Sequence, residues 1–231
     1  MYGLHQNTTS LYSLPLTEQQ VHAWSMDANQ YVADEDENTY SCVSGSLLLE
    51  EIVISCGIKG VYAILNAAKQ RLDESQQQRV KGSVDWWRMR EATLFAVSSV
   101  SEQLLEVEVS RPSGVNLGNL LEQTFTKDMA AGVHEFPFLY ARMFSSIAKF
   151  STVNAPTDVV KVIYEVCFDP VVRTVLQSDD HGEMQNATQC LAALVSCGKQ
   201  QLLTWGGDPG YTMICLLDVA SRSRKFRIRF C

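Results

Sequence analysis

The strongest helical pattern in the chain lies in residues 83–105, which read SVDWWRMREATLFAVSSVSEQLL. Six residues recur there at steps of three and four and so share one helical face: Trp86, Met89, Thr93, Val97, Val100 and Leu104. Large apolar residues occupy the other faces as well: Trp87, Leu94, Phe95 and Leu105. Because a helix that is apolar on several faces has to be covered from more than one side, we expect a helix that begins near the N-cap candidate Ser83 and packs between neighbours.

Helical patterns also fill most of the chain on both sides of this segment. Proline is favoured in the first helical turn, so Phe136-Pro137 and Ala155-Pro156 predict two helix starts, and Asp180 with Glu183 forms a capping-box pattern. The other predicted helices are Leu47–Ser55, Val61–Leu72, Leu117–Ala131, a short one after Pro170, and Tyr211–Ala220. The two short alternating runs, 106–109 and 226–230, supply too few strands for a sheet.

The predicted fold class is therefore all-α, with about ten helices joined by short polar or Pro/Gly breaks. A globular helical bundle and an α-solenoid both fit this pattern. Helix pairs of about 40 to 47 residues have the size of HEAT and armadillo repeats, and roughly five such pairs fit this length. The two-sided apolarity of the helices favours the HEAT/armadillo-type solenoid, an α-α superhelix.

The composition is that of a globular protein, with 46% hydrophobic and 19% charged residues in 231. A net charge of -7 disfavours direct binding of nucleic acid, which needs clustered Lys and Arg, and it suits a basic protein partner. Cys56, Cys167, Cys190 and Cys215 lie in apolar helical stretches without CxxC spacing, so we interpret them as small core residues in a reducing compartment. No leader or membrane-length apolar run is found, which predicts the cytoplasm and nucleus and no membrane insertion.

Catalytic, cofactor and metal motifs are missing from the sequence. The histidines His5, His22, His134 and His181 are scattered, and no HExxH, GxSxG, GxGxxG or P-loop pattern occurs. We therefore predict neither catalytic nor metal-binding residues, no cofactor, and a protein that is not an enzyme.

The sharpest local feature is the acidic segment Asp34, Glu35, Asp36 and Glu37. Four adjacent like charges must either be solvated or meet a cation-rich partner. The segment is thus either a solvated loop or a candidate protein-binding site for a basic partner, in which charge speeds association more than it adds affinity.

Two other features have both a functional and a structural interpretation. Tryptophans are common interface anchors, but Trp86 of the Trp86-Trp87 pair lies on the main apolar face and is better explained as core. The basic tail 222–231 could bind anions or act as a localisation signal, but it is also what an irregular chain end would give.

Three stretches, QYVADEDENTYS (30–41), WWRMREA (86–92) and SDDHGEMQNATQCL (178–191), together with Trp205, resemble a known family in the order in which that family has them. The family that these stretches resemble is that of the importin-9-type nuclear import receptors, within the importin-β (karyopherin) family. The sequence is most similar to the plant versions. The resemblance covers about 16–150 and 154–221. It implies a HEAT-repeat solenoid that carries basic cargo, such as histones and ribosomal proteins, through nuclear pores under control of the Ran GTPase.

The resemblance also divides the chain. Residues 1–15 form an atypical N-terminal segment, 16–150 and 154–221 two HEAT-repeat blocks, and 222–231 a basic atypical tail. Full-length receptors of this kind are several times longer, so we expect a truncated and internally deleted product. Because helices on the two sides of the junction at 150–154 would not have evolved as neighbours, we expect a poor fit there, with exposed apolar faces at the junction and at both ends.

The function expected from the resemblance is that of a nuclear transport receptor fragment that binds basic protein cargo and Ran-GTP, with nuclear pore proteins as further partners. The alternative is a generic helical-repeat scaffold without transport activity of its own.

Overall fold

A computed structural model describes residues 16–26, 42–110, 117–129 and 136–151, together with 159, 163, 187–188 and 190–194. Seven complete helices lie within the described ranges: α1 Glu18–Met26, α2 Cys42–Cys56, α3 Ile58–Val80, α4 Trp86–Ser99, α5 Ser101–Ser110, α6 Leu117–Met129 and α7 Pro137–Phe150. No strand occurs among the described residues. The predicted all-α class is confirmed for this part of the chain.

Helix α1, which the hydrophobic pattern did not predict, has a strong local start signal. The Thr17 hydroxyl accepts a hydrogen bond from the Gln20 amide at 3.2 Å, and the Gln20 side chain accepts one from the Thr17 amide at 2.9 Å. This reciprocal pair is a capping box, which satisfies two amides that a helix start leaves without partners. Leu16 and Val21, immediately outside and inside the first turn, lie in the same small apolar cluster and complete a hydrophobic staple.

Helix α4 begins at Trp86 with Asp85 as its N-cap, not at the predicted Ser83. The reason lies at the end of α3, where Gly82 has a φ of 77° and donates to the Arg79 carbonyl at 3.0 Å. The Ser83 amide donates to the Gln78 carbonyl at 3.0 Å, which completes a Schellman motif. Ser83 therefore closes α3 and cannot open α4.

The predicted single helix over 83–105 is two helices that meet at Val100. Serine hydroxyls near the break bond to carbonyls of the preceding turn: Ser98 to Leu94 and Ser99 to Ala96, the latter at 2.9 Å. Such bonds compete with the helical ladder and bend it. The second half extends beyond the prediction to Ser110, so the alternating residues 106–109 are helical.

The contacts between the described helices sort them into two rows. Each of α3 and α4 lies against the preceding helix, and α4 also contacts α2 on one side and α7 on the other. Helix α3 contacts α6. The helices α2, α4 with its continuation α5, and α7 thus form one row, and α3 and α6 form a second row. The prediction that α4 is covered from two sides is confirmed.

One apolar cluster runs through these rows and extends past the predicted junction. It contains Phe150 and also Val159 and Ile163, which are buried to 99% or more. Ala187, Cys190, Leu191 and Leu194 belong to the same cluster. Residues 152–158 lie outside the described residues, so the expected poor fit at the junction stays a prediction. Exposed apolar side chains do occur on α2, at Leu47, Leu48 and Ile54.

The cysteine prediction holds at one described position and fails at another. Cys190 is a buried free thiol, as expected of a small core residue. Cys56 is exposed, because α2 ends there and the chain turns at Gly57 with a φ of 56°. Cys167 and Cys215 lie outside the described residues.

Gly60 sets how closely α2 and α3 approach. A Cβ at this position would lie 2.7 Å from the Ile52 carbonyl oxygen, an atom of the backbone that cannot easily move aside. We expect Gly60→Ala to destabilise the fold by about 1–3 kcal/mol, the range for overpacking, as measured by urea unfolding. The matched control is Lys59→Ala, which changes an exposed residue of α3 next to Gly60 and should alter the free energy of unfolding by no more than about 0.5 kcal/mol. Equal losses for the two variants would contradict the role given to the close approach.

Candidate functional site

Two adjacent charged residues on α4, Arg90 and Glu91, are buried, and they connect it to three other helices. The Arg90 Nε donates to Asp128 Oδ2 on α6 at 2.6 Å, and its Nη1 donates to Ser75 Oγ on α3 at 2.9 Å. The same nitrogen lies 3.4 Å from the Leu72 carbonyl oxygen. One guanidinium therefore joins α4 to both helices of the second row.

The position of Asp128 at a helix end also makes a neighbouring cation favourable. It lies in the last turn of α6, where the helix dipole is negative and disfavours a carboxylate. Its own carbonyl accepts a hydrogen bond from the Tyr140 hydroxyl of α7 at 3.1 Å, which satisfies a carbonyl group that the helix end leaves free. Arg90 offsets the unfavourable position of the Asp128 carboxylate.

Glu91 bonds along the first row, to the neighbouring helix α7. The Arg142 Nε on α7 donates to Glu91 Oε1 at 2.7 Å, with both side chains buried. The Arg142 guanidinium also lies 4.7 Å from the centre of the Phe95 ring, a cation–π contact. The pair fixes the register of α7 on α4.

The hydroxyls of Ser98 and Ser146 add a second polar contact between α4 and α7, at 3.1 Å. This arrangement can hold helices in place but offers no group aimed at a cavity. Among the described residues, no cluster of three or more histidine, cysteine or carboxylate side chains could hold a metal ion.

A polar groove of about 460 Å³ follows the outer face of α3. Its lining residues recur at steps of three and four: Asn66, Lys69, Gln70, Asp73, Glu74 and Gln77. Glu74 accepts a hydrogen bond from Gln70 at 2.9 Å and forms an ion pair with Arg71 at 3.4 Å. The groove therefore presents side-chain amides and charges of both signs, as the solvent-exposed face of a helix commonly does.

The Trp86-Trp87 pair is divided between the core and the surface. Trp86 is 4% exposed, meets Phe136 edge to face at 4.9 Å and is covered by the Arg79 guanidinium at 4.5 Å. Its interpretation as core is confirmed. Trp87 is half-buried and packs near Phe138, with ring centres 6.4 Å apart.

The acidic segment Asp34 to Glu37, the only binding site predicted from the sequence, lies outside the described residues. So does the basic tail 222–231. The role of each stays a prediction.

When the sequence is compared with models of known protein families, none matches. None of the described helices combines the length and the apolar character that crossing a membrane requires.

Sequence reasoning missed the buried charges of α4 and the polar groove. Residues 86–92 carry part of the family resemblance, and they also place the charges of Arg90 and Glu91 within an otherwise apolar helix surface. The position of these two charges could have indicated their burial, because Arg90 and Glu91 lie on a helix that is apolar on several faces. A charge so placed must find a partner inside the protein.

Proposed function

We propose that this chain is a protein-binding fragment of a nuclear transport receptor of the importin-β type, built as a HEAT/armadillo-type solenoid. It would bind basic protein cargo, such as histones or ribosomal proteins, in the cytoplasm and carry it into the nucleus under control of Ran-GTP. The proposal assigns no catalytic role and no cofactor.

The observation that carries the solenoid is the order of helix contacts. In a stack of helix pairs, each helix meets its partner and also the equivalent helix of the next pair. The contacts of α2 with α4, of α4 with α7 and of α3 with α6 follow this rule. The kinked pair α4 and α5 then acts as one long helix of the first row.

The buried ion pairs support the same arrangement. Arg90 bonds across the two rows and Glu91 along one row, so two consecutive residues fix both directions of stacking. The family resemblance in residues 30–41, 86–92 and 178–191 supports the narrower assignment to nuclear transport.

The polar groove on α3 is the surface that we propose a protein partner contacts. Its six lining residues follow α3 over three turns, and side chains of this kind bind polar segments through hydrogen bonds and salt-sensitive charge pairs. The acidic segment Asp34 to Glu37 would add the charge that attracts a basic partner.

The second candidate function is a generic helical-repeat scaffold without Ran linkage. The stacking and the groove agree with it equally well. Binding of GTP-loaded Ran to this chain, measured beside GDP-loaded Ran as the matched control, separates the two functions. A preference for the GTP form supports the transport receptor, and equal or absent binding of the two forms supports the scaffold.

We expect replacement of the four acidic residues Asp34–Glu37 by lysine to weaken binding of a labelled histone pair at low salt by at least tenfold. The reason is that removing complementary charge slows association, and this effect is screened by salt. Fluorescence anisotropy titrations at low and high salt measure it.

The matched control also reverses four charges, with lysine at Glu50 and Glu51 of α2 and at Glu102 and Glu106 of α5, which lie outside both the acidic segment and the groove. If the acidic-segment variant and this control bind the histone pair with the same affinity and the same salt dependence, the segment is not a cargo contact.

A further inference from the structure

The turn between α3 and α4, residues 80–85, lies on the protein surface. Val80 and Val84 are each 79% exposed, and Lys81 is exposed between them. Surface connections of this kind are the segments that modifying enzymes and proteases reach first, because the active site of such an enzyme has to enclose the backbone of its substrate. Ser83 is the hydroxyl-bearing residue of this turn.

The hydroxyl of Ser83 is only weakly held. It accepts a hydrogen bond from the Asp85 amide at 3.3 Å, which is long for a bond between an N–H group and an oxygen. The main chain of Ser83, by contrast, is fixed by the bond from its amide to the Gln78 carbonyl. The fold therefore presents this hydroxyl at a defined place without engaging it strongly.

A lysine two residues before a serine occurs twice in the described part of the chain, as Lys-Gly-Ser at 81–83 and as Lys-Phe-Ser at 149–151. Protein kinases select substrates by charge patterns, and those with an acidic substrate groove select cations close to the acceptor. The fold separates the two serines. Ser151 is 7% exposed, and its hydroxyl donates to the Ile147 carbonyl at 2.6 Å. Of the two, Ser83 combines the charge pattern with an accessible hydroxyl.

The charges around Ser83 also suit an acidic enzyme surface. Residues 79–88 contain three cations and one carboxylate, which are Arg79, Lys81, Arg88 and Asp85. The carboxylate lies 3.6 Å from the Arg88 Nε, and the Arg79 guanidinium covers an aromatic ring of α4. Lys81 is exposed in the turn itself, so it is the cation best placed to meet an acidic groove, where opposite charge speeds encounter.

We propose that Ser83 is a phosphorylation site for a serine/threonine protein kinase that selects basic substrates. In the reaction, Ser83 Oγ attacks the γ-phosphorus of ATP, the bond from that phosphorus to the β,γ-bridging oxygen breaks, ADP leaves, and the hydroxyl proton passes to a base of the kinase. The phosphate adds a charge of about −1.5 to −2 at neutral pH and so neutralises the cationic turn. This modification is independent of cargo binding and of Ran.

The test treats the full folded chain with ATP and the catalytic domain of a protein kinase C, and locates the phosphate by mass spectrometry. Trypsin releases residues 82–88 as a peptide whose only hydroxyl is that of Ser83. Synthetic peptides of residues 76–90 and 144–158 give the rates without the fold. We expect the rate at Ser83 in the chain to stay within about tenfold of its peptide. The rate at Ser151 should fall by about 100-fold or more, because a buried site reacts only when the fold opens.

Lys81→Gln removes the cation two residues before the acceptor and should slow phosphorylation of Ser83 at least tenfold. The matched control is Lys59→Gln, which changes an exposed lysine at the opposite end of α3 and should react as the unmodified chain does. Three results would overturn the proposal: equal rates at Ser83 in these two variants, a loss of rate on folding as large at Ser83 as at Ser151, or no phosphate on Ser83 in both the chain and the peptide.

Discussion

Arg90→Ala is expected to destabilise the fold by about 3–5 kcal/mol, the range for removing one partner of a buried ion pair. The substitution leaves the Asp128 carboxylate buried at the negative end of α6 and removes the donor to Ser75. Since domains of this size are stable by only about 5–15 kcal/mol, much of the folding free energy is lost. Urea unfolding followed by circular dichroism measures the change.

Two controls distinguish the effect of breaking the buried Arg90–Asp128 ion pair from the effect of removing an arginine side chain. Arg88→Ala removes an arginine with a partly exposed side chain, 3.6 Å from Asp85, and should cost about 1 kcal/mol or less. The double variant Arg90→Met with Asp128→Leu leaves no buried charge behind and should recover most of the loss. A loss for Arg90→Ala as small as that for Arg88→Ala would show that the pair contributes little to the fold.

Periodicity predicted most of the described helices because the spacing of apolar residues is a local property of the sequence. The helix that starts at Pro137 was predicted to the residue, and α6 to within two residues of its end. The stripe predicted for the helix at Pro137 is Phe136, Tyr140, Phe144 and Ile147. Its last three residues are buried and Phe136 is half-buried. The same method missed α1, which is nine residues long and whose signal is the capping residues Thr17 and Gln20.

The buried charges could not be placed by the same reasoning. A pattern analysis assigns charged residues to solvent, which is correct for most of them. The partners of Arg90 and Glu91 lie 38 and 51 residues further along the chain, so only the tertiary packing decides that these two charges can be neutralised inside. The break at Val100 was missed for a related reason, since serine hydroxyls that bond to the backbone leave no trace in hydrophobic periodicity.

The candidate binding segment can be recognised from the sequence alone, unlike the surfaces that the fold assembles. The acidic segment Asp34 to Glu37 is visible because it is a run of like charges, whereas the aromatic cluster of Trp24, Trp87 and Phe138 joins residues of α1, α4 and α7 that are far apart in sequence. Trp24 and Phe138 each look like ordinary apolar residues until the two helices are brought together. Surfaces assembled from separate helices therefore need the structure, even where every helix is predictable.

Phe144→Ala is expected to destabilise the fold by about 3–5 kcal/mol, the range for deleting a buried aromatic side chain. Phe144 is fully buried on α7 and meets Tyr140 edge to face, with ring centres 6.1 Å apart. Its loss leaves a cavity on the buried face of the helix that covers α4. The matched control is Ile54→Ala on α2, where 76% of the side chain is exposed, and it should change stability by no more than about 0.5 kcal/mol.

The slope of the urea transition adds a test of how the rows are coupled. If α7 is held on α4 by both the apolar face and the Glu91–Arg142 pair, Phe144→Ala should lower the midpoint and leave the slope unchanged, because the slope reports the surface exposed in one cooperative step. A shallower slope would mean that α7 unfolds before the helices it covers. In that case unfolding would occur in two transitions, first of α7 and then of the remaining helices. Arg90→Ala, whose contacts lie on α3 and α6, should then shift only the second of these transitions.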